Sequence, residues 1–307
     1  MVNPKAGRGA GAGIARDLPG LLAARGMSGE VVTTAGPRDA VRLAREAAVK
    51  APIVVAVGGD GTAHEVVNGI AETDAVFGLV PVGTGNDLAL ALGIPGGLDR
   101  ALEVIANGHE ARIDLGRFDD GWFVNSLGLG FEAQVTIESL RVRGLRGFSI
   151  YLWAVVKALR RLRCPDLALH VDGRAIDGRR LLLCVGNGPR VGGGFLLTPE
   201  AKPADGIFDL CLVDAMGRWG VLRTLPKAIR GTHTTHPRVH MLQARTIEIE
   251  SSEGFPFHAD GEVIDEARKK LRVELRAAAL RVRVEEGAED RLGAGRAGIH
   301  EAVARTR

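Results

Sequence analysis

Cysteine, aromatic residues and net charge are all scarce in this sequence. Its 307 residues include 3 cysteines, 1 tyrosine and 3 tryptophans, and 40 Lys and Arg stand against 37 Asp and Glu. The cysteines, Cys164, Cys184 and Cys211, lie in or beside apolar runs without C-x-x-C spacing, which favours reduced core thiols in a cytosolic protein over a disulfide framework or a metal site. The net charge of +3 is too small to indicate nucleic-acid binding, but it is compatible with an anionic surface or a phosphate-bearing ligand.

Long hydrophobic runs are also missing. The longest apolar stretch, from about Phe148 to Leu159, contains Lys157 and is too short to span a bilayer. Any contact with a membrane is therefore expected to be peripheral. With 46% hydrophobic and 25% charged residues, the composition is that of a globular protein long enough for two domains.

Residues 1–117 alternate strand and helix patterns. Short continuous apolar runs predict buried strands at 53–57 and 77–82, and helical spacing predicts helices over 38–49, over 63–71 and from Asp87 onward. This alternation predicts an α/β domain with a doubly wound, mostly parallel sheet.

Residues 118–285 have a different pattern, with many short strands separated by turns such as Asp172-Gly173 and Asp260-Gly261. Only 148–163 and 218–230 have a helical pattern, so we expect an antiparallel β-sandwich domain with inserted helices. Residues 286–307 are charged and rich in Gly and Ala, which predicts a flexible tail.

The most informative motif is Gly58-Gly59-Asp60-Gly61-Thr62, which stands between a predicted strand and a predicted helix. Glycines let backbone N–H groups face a ligand, and the start of the helix favours an anion, so the motif suits phosphate groups. A carboxylate at Asp60 would repel phosphate unless a divalent cation lay between them, which indicates Mg²⁺. A glycine-rich turn with a capping aspartate is the plainer interpretation of the same residues.

Two further loops end predicted strands in the same way, Asn3–Gly7 and Pro81–Ala89. Because ligands of open α/β sheets bind beyond the carboxyl ends of the strands, the three loops are expected to meet at one crevice. Neither G-x-x-x-x-G-K-[ST] nor G-x-G-x-x-G follows the first strand, so P-loop NTPases and dinucleotide-binding Rossmann domains do not fit.

Taken in order, six segments resemble motifs of the soluble bacterial diacylglycerol kinase family, whose catalytic domain is shared with sphingosine and ceramide kinases. The segments are NPKAG, GGDGT, PVGTGNDLA, GNGPRVGGGFLLTPEAKPADGIFDL, GTHTTHP and HADGE. The resemblance implies an ATP-dependent kinase that phosphorylates a lipid hydroxyl, most directly diacylglycerol to give phosphatidic acid. It also implies a Rossmann-like domain of the NAD kinase and phosphofructokinase type, followed by a β-sandwich, with the nucleotide bound between them.

The resemblance also assigns residues by matching position. The expected ATP-binding residues are Asn3, Pro4, Lys5, Ala6, Gly7, Thr34, Gly58, Gly59, Asp60, Gly61, Thr62, Ala63, His64 and Thr84. His64 departs from the family, which usually has Asn there, although the backbone role of the loop does not depend on it.

The acidic residues divide into three groups under the resemblance. Asp60, Asp87 and Asp114 match aspartates associated with a Mg²⁺–water network at the active site. The Asp205 carboxylate, with the main-chain carbonyls of Lys202 and Ile207, matches a separate structural Mg²⁺ site. Glu262 matches the proposed general base; its position alone is that of an ordinary turn glutamate, but a carboxylate there can accept the proton of a lipid hydroxyl.

Two other functions remain open from the sequence. G-G-D-G also marks NAD kinase-like enzymes that act on a soluble substrate, with the loop aspartate as base, and a catalytically inactive nucleotide- or lipid-binding module would keep much of the same pattern.

A basic segment gives an expectation about partners. Residues 141–163 contain seven Lys or Arg and no acidic residue, so we expect a cytoplasmic enzyme that binds anionic membranes peripherally and reversibly. Their apolar positions (Phe148, Tyr151, Leu152, Val155, Leu159 and Leu162) have helical spacing and are expected to pack on the sandwich. The sequence leaves a homodimer open.

Overall fold

The computed structural model describes residues 1–142, 144–145 and 148–293, and the chain within it forms two compact units. The first unit contains Met1–Asp114, Pro203–Asp205 and the segment that begins at Ala277. The second contains Leu115–Lys202 and Gly206–Arg276. The division therefore falls at Asp114 where the sequence suggested 117, and the end of the predicted sandwich, from Ala277 on, belongs to the first unit.

Helices and strands are numbered in chain order. The helices are α1 (Ala10–Ala23), α2 (Asp39–Ala48), α3 (Asp60–Ile70), α4 (Asp87–Ala91), α5 (Leu98–Asn107), α6 (Phe131–Leu140), α7 (Phe148–Ala158), α8 (Arg218–Arg230) and α9 (Glu289–Leu292). The strands are β1 (Ile53–Gly58), β2 (Val76–Pro81), β3 (His109–Phe118), β4 (Gly121–Phe123), β5 (Ser126–Gly130), β6 (Asp166–Val171), β7 (Arg174–Ala175), β8 (Gly178–Gly186), β9 (Phe208–Asp214), β10 (Val239–Ala244), β11 (Thr246–Ala259) and β12 (Glu262–Val284). Short 3-10 helices span Ala6–Gly9, Leu159–Arg161 and Thr232–Thr235.

The first unit is built on parallel strands. β1 pairs with β2 along its whole length, and the end of β12 joins β2 in parallel at Arg281 and Val282. Val2 extends the sheet on the other side of β1 through parallel bridges to Val57 and Thr33. The apolar run of β1 is explained by burial, since Val54, Ala56 and Val57 are almost inaccessible. The predicted α/β domain with a parallel sheet is confirmed.

The second unit is an antiparallel sandwich. β8 pairs with β5 on one side and with β9 on the other, and β11 pairs with β12, β5 and β6. Alternate residues of β8 and β9 point to opposite faces, so Leu183 and Leu210 enter the core of the sandwich while Leu182 and Cys211 face the helices. Both faces are buried, which explains why these strands are continuous apolar runs.

α7 packs on that helix-covered face, but only in part as the spacing predicts. Val155 and Leu159 are buried, and Phe148, Tyr151 and Leu162 are partly buried in the same cluster. Leu152 is 37% exposed, and its neighbour Trp153 is 46% exposed, so Leu152 does not belong to the buried stripe. No helix among the described residues is both long and apolar enough to cross a membrane.

The predicted flexible tail differs from the structure over 286–293. Ala288 and Leu292 are fully buried, and the N–H of Ala204 donates a hydrogen bond of 2.8 Å to the carbonyl of Leu292. This part of the chain carries two apolar side chains that the overall charged composition obscures. Residues 294–307 lie outside the described part of the chain.

The aromatic centre of the sandwich gives a stability prediction. Phe208 is fully buried and stacks on Phe123 with ring centroids 5.4 Å apart. Replacing Phe208 by Ala removes this ring and leaves a cavity, so the free energy of unfolding should fall by about 3–5 kcal/mol. Val49 is 86% exposed, and Val49→Ala should change stability by less than about 0.5 kcal/mol. Urea unfolding of both variants checks this, and equal stability losses would contradict the assigned core.

Candidate active site

Three loops of the first unit lie at the carboxyl ends of neighbouring strands. The N–H of Asn3 donates to the carbonyl of Val57 at 3.1 Å, and the N–H of Val82 donates to the carbonyl of Gly58 at 2.8 Å. On the far side of Val2, the N–H of Thr34 donates to the Val2 carbonyl at 3.0 Å. The predicted loops and Thr34 are thus brought to one edge of the sheet, where ligands of open α/β sheets bind.

Gly59 and Gly83 approach each other so closely that side chains are excluded between the loops. A Cβ on Gly83 would lie 2.5 Å from the Cα of Gly59 and 2.7 Å from the Oδ1 of Asn86. The loop after β1 and the loop after β2 therefore form one continuous backbone surface. Such a surface can present N–H groups to an anion without obstruction by side chains.

Asn3 fastens the first loop to the start of α3. Its Nδ2 donates to the Oγ1 of Thr62 at 3.2 Å, and its Oδ1 accepts the N–H of Lys5 at 3.0 Å. The side chain of Lys5 is exposed. The positive charge of Lys5 on this loop can meet an anionic ligand bound near the N-terminus of α3.

Two carboxylates stand beside the glycine loops. Asp60 begins α3, and its Oδ1 accepts the N–H of Leu88 at 3.1 Å, which joins the loop after β1 to the first turn of α4. Asp87 begins α4 and is buried. Two acidic residues on adjoining loops, both at helix N-termini, supply oxygen donors of the kind that Mg²⁺ prefers. This arrangement is able to hold phosphate groups together with a divalent cation.

The other predicted nucleotide residues differ in exposure. Gly7 and Thr84 are exposed and Thr34 is partly exposed, whereas Gly58, Ala63 and His64 are buried. The imidazole Nε2 of His64 lies 3.4 Å from the Nδ2 of Asn68, one turn further along α3. The position of His64 is therefore that of a helix-interior side chain, and its contact with a nucleotide stays a prediction.

Asp114 has a defined structural partner. It is buried in β3, where its Oδ1 accepts the N–H of Ala278 at 2.8 Å, while its own N–H donates to the carbonyl of Pro203 at 2.7 Å. Ala278 has φ of +51°, a strained value for a residue with a side chain. One carboxylate oxygen of Asp114, which the resemblance placed in a Mg²⁺–water network, therefore binds the backbone of β12.

The predicted structural magnesium residues lie within a single stretch of chain. Asp205 is buried, and Lys202 and Ile207 are partly buried. Across the described residues, no group of three or more His, Cys, Asp or Glu side chains could hold a metal ion. The predicted set has only one carboxylate and relies on main-chain carbonyls, so it stays a prediction.

Glu262 stands at a tight turn of the second unit. Ala259 pairs with Glu262 across a two-residue turn, in which Asp260 has φ of +50° and Gly261 has φ of +86°. Two positive φ values in a row are typical of a type I′ hairpin turn, for which Asp-Gly is a preferred sequence. The turn leaves Glu262 exposed. An exposed carboxylate at a rigid turn is able to meet a hydroxyl group from outside the protein.

Asp260 is the residue that sequence analysis underestimated. Its Oδ1 accepts the N–H groups of Asn125 at 2.8 Å and Ser126 at 3.0 Å, and its Oδ2 accepts that of Val124 at 2.9 Å. Its own N–H donates to the Ser126 carbonyl at 2.8 Å. The Asp-Gly pair signalled a turn, but no local pattern indicates acceptors for a backbone segment more than a hundred residues earlier.

Comparisons with known proteins agree on one family. Residues 1–118 match the family described as the diacylglycerol kinase catalytic domain, and residues 125–284 match the YegS C-terminal NAD kinase beta sandwich-like domain. Diacylglycerol kinases of Staphylococcus aureus strains JH9 and Newman are 36% identical over 215 residues, which is 68% of this chain and 68% of theirs.

Two solved structures are similar in fold. A diacylglycerol kinase from Bacillus anthracis str. Sterne has a TM-score of 0.74 at 24% identity, with 93% of this chain and 96% of that chain covered. An NAD kinase from Archaeoglobus fulgidus, solved in complex with ATP, has a TM-score of 0.54 at 14% identity, with 93% and 95% covered.

The hydrogen bonds of Asp260 can be tested by one atom change. Asp260→Asn keeps the preference for positive φ but replaces an acceptor oxygen by an NH₂ group that faces backbone N–H groups. We expect the free energy of unfolding to fall by about 1–3 kcal/mol, because N–H groups partly shielded from water lose their acceptor. Asp119→Asn, in an exposed turn, is the matched control and should be neutral within about 0.5 kcal/mol. Urea unfolding distinguishes the two, and an equally neutral Asp260→Asn would contradict the role given to this carboxylate.

Proposed function

Because the chain belongs to the diacylglycerol kinase family, we propose that it transfers the γ-phosphoryl group of ATP to a lipid hydroxyl, with diacylglycerol as acceptor and phosphatidic acid as product. The chain is a kinase. The observation that carries it is the edge of the parallel sheet where Asp60 and Asp87 begin helices beside the Gly59–Gly83 contact. The curated relatives from Staphylococcus aureus carry the name of this activity.

The nucleotide phosphates are proposed to bind the backbone of this edge. The loop after β1 and the loop after β2 supply N–H groups, and the exposed Lys5 supplies a positive charge. The segment Asn3–Gly7, the loop residues Gly58–His64, Thr34 and Thr84 would surround the rest of ATP. Phosphoryl transfer depends mainly on positioning and on neutralising charge, so rigid backbone donors suit it.

Mg²⁺ is proposed to bind with the nucleotide. Asp60 and Asp87 have the oxygen donors for it, and both begin helices beside the closely packed Gly59 and Gly83. When bound, the ion would neutralise charge on the β- and γ-phosphates. The second proposed ion, at Asp205 with the carbonyls of Lys202 and Ile207, would have a structural role.

Glu262 is proposed as the proton acceptor. A lipid hydroxyl is a weak nucleophile, and a carboxylate within hydrogen-bond reach can orient it and take up its proton as the oxygen attacks phosphorus. Glu262 is exposed at the hairpin turn, which is the accessibility that a membrane-borne substrate requires.

Peripheral membrane binding is proposed for the α7 and α8 region, in a cytoplasmic protein. Arg218 at the start of α8 donates through Nε to the carbonyl of Leu159 at 2.8 Å, so the start of α8 lies beside the end of α7. Trp153 and Trp219 are 46% and 74% exposed, and Arg160 and Arg161 are exposed nearby in the chain. Aromatic and basic side chains together suit the interface of an anionic bilayer. Two arginines of the basic segment 141–163, Arg143 and Arg146, lie outside the described residues.

Substitutions at Glu262 and Asp60 test the proposed roles. Glu262→Gln keeps the size of the side chain but cannot accept a proton, so kcat should fall about 10²–10⁴-fold with the KM for ATP nearly unchanged. Asp60→Asn should raise the KM for ATP as well as lower kcat, because its proposed role is at the nucleotide. Steady-state kinetics with mixed micelles measure both. Near wild-type activity of Glu262→Gln, with a purely catalytic loss in Asp60→Asn, would favour an NAD kinase-like mechanism with the loop aspartate as base.

Membrane binding has a separate test. Replacing Arg141 and Arg160 by Ser should weaken co-sedimentation with phosphatidylglycerol vesicles at low salt, since each basic residue near an anionic surface contributes ~1 kcal/mol. Arg174→Ser with Lys269→Ser, at exposed positions elsewhere on the second unit, is the control with the same change of charge. Equal binding to phosphatidylcholine vesicles, or equal losses in the two variants, would contradict an electrostatic surface at α7.

A further inference from the structure

A buried histidine and a buried glutamate lie directly behind the turn that carries Glu262. His258 is near the end of β11, opposite Gly128 of β5, and Glu132 is in the first turn of α6. Their side chains are 4% and 9% exposed, so neither can touch a substrate. Burying two ionisable groups is costly unless they are hydrogen-bonded, and both groups of this pair are.

The hydrogen bonds of His258 define its tautomer. The backbone N–H of Gly261 donates to the Nδ1 of His258 at 3.2 Å, and Nε2 lies 3.3 Å from the Oε1 of Glu132. An imidazole nitrogen that accepts a hydrogen bond carries no proton, so the ring proton of His258 is on Nε2, which faces the carboxylate of Glu132. The chain of contacts runs from Glu132 through the imidazole to the amide of Gly261.

Two buried thiols, Cys184 and Cys211, lie near the carboxylate of Glu132. Burial and the charge of Glu132 raise the pKa of the Cys184 thiol well above its usual value, and the same two causes raise the pKa of Cys211 to about 12. Both thiols therefore stay protonated near this carboxylate. Gly128 makes room for the pair, because a Cβ there would lie 2.5 Å from the Nε2 of His258.

The amide of Gly261 is next to Glu262 in the chain, so whatever holds this amide also limits the orientation of the Glu262 carboxylate. The carboxylate of Asp260, the first turn residue, accepts the N–H groups of Val124–Ser126. The Nδ1 of His258 accepts the N–H of Gly261, the second turn residue. We propose that His258, oriented by Glu132, is a positioning residue that holds Glu262 in the direction required to accept the proton of the substrate. This inference rests on the proposed function of Glu262. Small displacements of a reacting group are enough to lower a rate by one to two orders of magnitude.

A pair of amide substitutions separates positioning from general stability. His258→Asn can place its Oδ1 where Nδ1 accepts the N–H of Gly261, whereas His258→Gln reaches the Nε2 position towards Glu132 and leaves that N–H without its acceptor. We expect His258→Gln to lower kcat about 10- to 100-fold with the KM for ATP within about two-fold of wild type, and His258→Asn to retain most of kcat. Hydrogen exchange of the Gly261 amide should be faster in His258→Gln than in His258→Asn.

His233 supplies the matched control. It is also a buried histidine of the second unit, with Nε2 3.1 Å from the carbonyl of Leu197 and away from the turn in the chain. His233→Gln should lower thermal stability without changing kcat of the folded enzyme. Equal kcat in the two His258 variants, an unchanged kcat in His258→Gln, or an equal loss in His233→Gln would each overturn the proposal. Failure of the proposed function is a different outcome, since the wild-type enzyme would then phosphorylate no lipid or Glu262→Gln would be fully active.

Discussion

The proposed role of the second unit in the reaction depends on the hydrogen bonds that the Asp260 carboxylate accepts. One carboxylate binds three consecutive backbone N–H groups, from Val124 to Ser126, and so joins the β11–β12 turn to the start of β5. Each bond is charge-assisted and partly shielded from water, which makes it stronger than a bond between neutral groups. The imidazole of His258 accepts the N–H of Gly261, so a second side chain holds the turn that precedes Glu262.

In the first unit, the loops are arranged so that backbone N–H groups can face an anion. Its strands end at one edge, its loops meet at Gly59 and Gly83, and Asp60 links the starts of two helices through the N–H of Leu88. Helix N-termini and exposed backbone amides attract phosphate, while the carboxylates require a cation to be present with it. The proposed nucleotide, bound together with a divalent cation, would satisfy both requirements.

Much of this could be predicted from the sequence because the signals are local. The strand–glycine–helix order around Gly58–Thr62 specifies the loop, and Asp260-Gly261 specifies a two-residue turn. What sequence analysis missed depends on partners distant in the chain. The hydrogen bonds from the N–H groups of Val124–Ser126 to Asp260 join residues more than a hundred positions apart, and so does the contact of Glu132 with His258. Leu152 has the spacing of a buried stripe but lies at its margin, and Leu292 is buried within a segment that is polar on average.

The central claim is that this kinase phosphorylates a lipid hydroxyl, and it is tested most directly by identifying the product. The purified protein would be incubated with γ-labelled ATP, Mg²⁺ and micelles containing one acceptor at a time: diacylglycerol, monoacylglycerol, a sphingoid base or phosphatidylglycerol, with NAD as a soluble acceptor. We expect label in phosphatidic acid, identified by mass spectrometry, and no transfer when Mg²⁺ is chelated. Label in NADP with none in any lipid would contradict the account.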